Sequence, residues 1–77
     1  MPHLDITHFP KEFTDNQKDR LADALTAVVV EHFGTYEGAV SIALRPVAEQ
    51  DWDEQVVVGQ ITGHEHRLIK APDYRSE

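Results

Sequence analysis

Cysteine is absent from the 77-residue chain. That excludes a disulfide framework and any thiolate metal site. It also fits a reducing compartment. Basic residues are scarce: seven Lys and Arg stand against fourteen Asp and Glu, a formal net charge of −7. An acidic surface repels phosphate backbones, so no nucleic-acid partner is expected. Long apolar runs are missing as well. No stretch approaches the ~20 apolar residues of a membrane span. The opening Met1-Pro2-His3-Leu4-Asp5 has neither the basic region nor the apolar run of a signal peptide. A cytoplasmic protein that does not bind membranes is the expectation. The length suits one domain, residues 1–77, with a loose tail over 71–77. A domain of this size buries only about 60% of the surface its unfolded chain exposes. With no disulfide available, self-association is the expected source of extra stability.

What is present is ordered by period. Over residues 3–9, Leu4, Ile6 and His8 alternate with His3, Asp5, Thr7 and Phe9. Period two predicts a strand with one buried face, and Pro10 stops it because proline cannot donate to a ladder. Thr14-Asp15-Asn16-Gln17 is a capping box. It predicts a helix from Asp15 to Phe33, with Gly34 as a left-handed C-cap. Leu21, Ala24, Leu25, Val28 and His32 supply its apolar stripe at spacings of three and four. Residues 39–45 alternate again: Val40, Ile42 and Leu44 on one side, Ser41, Ala43 and Arg45 on the other. Pro46 ends that strand. A second helix is predicted from about Asp51 to Lys70, capped by Asp51 or Gln50 and stopped by Pro72. The valine-rich stretch from Gln55 to Ile61 reads alternatively as a strand.

Strand, helix and strand in this order make an α/β fold: a β-α-β unit with parallel strands and a right-handed crossover, followed by the second helix. Two strands alone do not make a stable sheet. A second copy adding two strands and its own helix is the economical remedy, so a homodimer formed through the sheet is expected.

Read together, several features carry a family likeness. They are Pro2-His3-Leu4-Asp5-Ile6, Phe9-Pro10, Gln17-Lys18, Ser41-Ile42-Ala43-Leu44, Trp52 and Leu68-Ile69-Lys70-x-Pro72-x-Tyr74. Their order and spacing resemble the 4-oxalocrotonate tautomerase superfamily, and within it the PptA-type tautomerases, over nearly the whole chain. The resemblance implies a cofactor-independent isomerase. Its substrates would be enols of 2-oxo acids such as phenylpyruvate. Its catalytic group would be an N-terminal proline, which maps onto Pro2 after removal of Met1. The founding members carry one arginine in the loop after the first strand and another in the second strand. Phe13 and Ser41 stand at roughly those places here. Arg45, two residues further along the face of Ser41, is the expected substitute for binding a carboxylate. The resemblance maps a pocket-walling aromatic onto Trp52, and Phe9 is expected to shield the site beside it.

The chemistry follows from the amine. Within a chain, proline has neither an N–H nor a basic nitrogen. At the terminus it is a secondary amine, and terminal amines titrate near pH ~8. Burial in an apolar pocket, or a neighbouring cation such as Arg45, disfavours the ammonium and frees the base. His64-Glu65-His66 invites a metal reading, but histidines two apart on a helix diverge, so no metal site is expected. The competing reading is a non-catalytic dimeric module that binds a small acid or another protein, since a fold does not dictate an activity.

Overall fold

The computed structural model describes residues 1–73. Tyr74 and most of the expected tail lie outside that range. Strand β1 runs His3–His8 and strand β2 runs Ser41–Pro46. They pair in parallel, His3 opposite Ser41 through His8 opposite Pro46. Helix α1, Asp15–Phe33, makes the crossover. The β-α-β unit and its parallel sheet are therefore as the alternation predicts. Strand β2 begins two residues later than expected. Val40 still closes a 3₁₀ turn over Glu37–Ala39, its N–H donating to the Glu37 carbonyl at 3.1 Å. At the other end Pro46 is the last strand residue, where its missing N–H costs nothing; the Val47 N–H continues the pairing onto the His8 carbonyl at 2.8 Å.

Both ends of α1 are determined locally. The Thr14 hydroxyl accepts from the Gln17 N–H at 3.1 Å, and the Gln17 side-chain oxygen accepts from the Thr14 N–H at 2.9 Å. Gly34 takes φ 64° and ψ 42°, and its N–H donates to the Val30 carbonyl at 3.1 Å. The inward face differs from the expected stripe. Leu21 and Leu25 are half-buried as predicted, but Val29 is the buried member, and Ala22, Thr26 and Val30 flank it. Ala24, Val28 and His32 are exposed. The run Val28-Val29-Val30 offers two overlapping stripes that share Leu21 and Leu25, so periodicity does not choose between them.

The second helix differs at both ends. Its first turn, α2, is Glu49–Trp52, preceded by Ala48 with no side-chain cap. It continues as π-helix over Asp53–Ile61, closing with the Thr62 N–H on the Val57 carbonyl five residues back, at 2.7 Å. The valine-rich segment is thus helical, but the helix stops at Ile61 and not at Lys70. Thr62 is extended and Gly63 sits at φ 82°, in the left-handed region that turns the chain away. A separate 3₁₀ turn, Glu65–Arg67, follows. His64 and Leu68 kept helical spacing without lying on the same helix.

The buried apolar residues are Val29, Ala39, Val47, Val56 and Ile61. The strand residues Leu4, Ile6, Ile42 and Leu44 are only half-buried. The Cα radius of gyration is 14.3 Å, against about 11.5 Å for a compact domain of this length. The molecule is a thin slab, 18 Å in its shortest dimension. Among the described residues no helix is long and apolar enough to cross a membrane.

Candidate active site

Pro2 stands immediately before β1. It is half-buried, whereas Met1 is 94% exposed. The Pro2 carbonyl accepts the Ser41 N–H at 3.1 Å, so the parallel register sets Ser41 beside the Pro2-His3 peptide. The Ser41 hydroxyl and His3 Nδ1 form a hydrogen bond of 2.7 Å. Ser41, Ala43 and Arg45 alternate with Ile42 and Leu44, which face α1; His3 and Asp5 lie on the same open side. On that side Arg45 reaches across the strands to Asp5, a guanidinium–carboxylate pair of 3.2 Å with both side chains about half exposed. Asp5 and His3 are the two participants that alternation alone did not single out. Their strand faces were legible; their partners required the register.

At the opposite end of the sheet the chemistry changes. Phe9 meets Trp52 edge to face, 4.9 Å between ring centroids and 81° between planes. Phe13 packs edge-on against His8, and the Lys11 ammonium lies 5.3 Å from the Phe13 ring centre. His8 Nδ1 lies 2.6 Å from the Phe9 carbonyl. A carbonyl only accepts, so this nitrogen carries a proton. His8, Phe9, Lys11 and Phe13 border a hollow of about 580 Å³ between β1 and α1, floored by Ile6 and Leu44 and walled by Leu21 and Leu25. Its lining is almost entirely apolar, and Lys11 is the cation on its edge.

The expected site residues thus fall into two groups. Pro2 and Ser41 meet at the head of the sheet; Phe9 and Trp52 meet at its tail. Arg45, in register with Thr7, belongs to the tail side. Strand β1 has six residues, roughly 20 Å end to end. One chain therefore does not bring Arg45, Phe9 or Trp52 to its own Pro2. The His64 and His66 rings are 6.5 Å apart, and among the described residues no third metal-binding side chain joins them.

Comparison with known proteins agrees with this architecture. Residues 2–59 match the family described as Tautomerase enzyme. The chain is 43% identical over 74 residues to Tautomerase PptA of Klebsiella pneumoniae, covering 96% of this chain and 97% of that one. It is 40% identical to Tautomerase PptA of Enterobacter sp. (strain 638) and 35% identical to that of Escherichia coli O139:H28, with the same coverage. With the parallel β-α-β unit in place and the match running from Pro2 into the second helix, the chain belongs to the tautomerase family.

Proposed function

We propose that the chain is a cofactor-independent keto–enol tautomerase acting on enols of 2-oxo acids, phenylpyruvate among them, with the Pro2 amine as its proton carrier. The observation that carries this reading is the placement of Pro2: half-buried at the head of β1 beside Ser41, behind a fully accessible Met1. An exposed initiator methionine next to a small second residue is open to removal. The nitrogen released is a secondary amine whose ring restricts its lone pair. In the cycle, this amine takes the proton of the 2-hydroxyl. The electron pair of that O–H becomes the carbonyl π bond, and the C2–C3 double bond receives the proton at C3.

The substrate carboxylate and side chain need partners that one chain keeps at the other end of its sheet. A two-fold homodimer supplies them, because a two-fold axis across the sheet brings the tail of one copy to the head of the other. In that arrangement Arg45 meets the carboxylate, and Phe9 and Trp52 wall the ring. Arg45 must exchange Asp5 for substrate. A half-exposed ion pair contributes only about 0–1 kcal/mol, so the exchange is cheap. The thin slab and the half-buried strand residues are what a sheet awaiting a second layer would show.

The test combines intact mass with loss of enol absorbance. The expected result is a mass lacking Met1 together with ketonisation that disappears when Pro2 is modified. A purified chain that retains Met1 and still turns over the enol would rule out the amine mechanism.

A further inference from the structure

Stripping the 2-hydroxyl proton leaves negative charge on the 2-oxygen, and a tautomerase of this kind needs a donor there. We infer that Ser41 is that donor and that His3 is the residue that positions it. The inference deepens the tautomerase reading and rests on it.

Ser41 makes two hydrogen bonds to one dipeptide. Its backbone N–H donates to the Pro2 carbonyl at 3.1 Å, and its hydroxyl bonds His3 Nδ1 at 2.7 Å. The two bonds clamp the hydroxyl at a fixed offset from the proline ring, one residue or about 3.3 Å along the strand. A serine hydroxyl has one proton and two lone pairs. With His3 Nδ1–H donating to one lone pair, the hydroxyl proton is free to point outward at a substrate oxygen. Both side chains are exposed on the open face of the sheet, so a substrate can reach them. On the same face Asp5, two residues beyond His3, pairs with Arg45, four residues beyond Ser41.

Proton accounting is simple. The proton that leaves the 2-oxygen resides on the Pro2 nitrogen and then moves to C3. Ser41 keeps its own proton throughout. It donates a hydrogen bond that is strongest when the 2-oxygen carries charge, and His3 touches Ser41 and not the substrate.

The experiment follows ketonisation of the phenylpyruvate enol by the full chain and its variants. Ser41→Ala is expected to lower kcat about 100-fold, the usual loss for one such donor, with KM changed by less than about threefold. His3→Ala is expected to lower kcat roughly tenfold, and His3→Asn to recover most of that, because the asparagine amide can present an N–H where Nδ1 was. The double variant Ser41→Ala with His3→Ala should be no slower than Ser41→Ala alone, since the histidine acts only through the hydroxyl. Should Ser41→Ala fail to fold by circular dichroism, Ser41→Cys, near in shape and a weak donor, gives the same reading. A kcat within about twofold of the parent for Ser41→Ala or Ser41→Cys, or losses that simply multiply in the double variant, overturns the inference. A parent chain without any ketonising activity removes the tautomerase reading and this pair with it. An active parent indifferent to Ser41 removes the pair alone.

Discussion

The head and the tail of one short sheet differ in almost every physical respect. At the head, Pro2, His3 and Ser41 are joined by hydrogen bonds across neighbouring strands. At the tail, Phe9 meets Trp52 and Phe13 meets His8 through ring edges, and Phe9, Phe13 and His8 line an apolar hollow. The head groups polar side chains on the open face of the sheet; the tail groups aromatic rings, His8 and Lys11 around a hollow on the helix side, with Arg45 on the open face. Parallel pairing enforces this division. Both strands start at the same end, so residues early in β1 and β2 cluster together and residues late in them cluster together. Within one chain the parallel register keeps the two groups apart.

The largest effect expected is at the head. Inserting an alanine between Met1 and Pro2 leaves the Pro2 nitrogen in a peptide bond after processing. Ketonisation should fall at least ~100-fold, the lower bound for losing a general acid–base group, with little change in the thermal midpoint. Equal loss of fold and activity would mean that the head is structural. The next largest effect tests whether head and tail come from different copies. Pro2→Ala chains and Trp52→Ala chains, each impaired, are unfolded together and refolded as a mixture. Mixed dimers should restore up to roughly a quarter of the sites; no recovery at any ratio would place head and tail in one chain's site.

At the tail, Trp52→Ala should lower stability by about 2 kcal/mol through lost burial and the lost ring contact with Phe9, and should raise KM for aromatic enols more than for aliphatic ones. A urea titration and a comparison of two substrates check it. Thr14→Ala removes half the capping box of α1. It should cost about 1 kcal/mol by chemical denaturation while leaving KM unchanged, because the cap touches neither end of the sheet. Smallest in stability is Arg45→Gln. The pair with Asp5 is half exposed and worth at most about 1 kcal/mol after solvent screening, so the thermal midpoint should barely move. A rise in KM for the carboxylate substrate would sharpen the assignment of Arg45 to the tail of the site.

Legibility in the sequence followed distance along the chain. Helix α1 was readable to the residue because its signals, Thr14 with Gln17 and Gly34 with Val30, lie three and four positions apart. The two strands and their buried sides were readable from alternation. The inward face of α1 was not, because three consecutive valines satisfy more than one stripe. The end of the second helix was not, because a glycine inside a helical pattern can continue it or turn out of it. Only the backbone of Gly63 at φ 82° decides which. Family likeness pointed to Pro2 and Trp52, and position along the strands added Ser41, Arg45 and Phe9; neither said which of them are neighbours.

The sequence by itself determined the β-α-β order, the extent of the crossover helix, the excess of acidic residues and the proline that follows Met1. These are properties of local spacing and composition, written within a few residues of where they act. Tertiary structure alone decided that His3 meets Ser41 across 38 residues, that Asp5 pairs with Arg45, and that Pro2 with Ser41 and Phe9 with Trp52 lie at opposite ends of the sheet. Pairing between strands depends on register, and register is settled by the packing of the whole sheet against its helix.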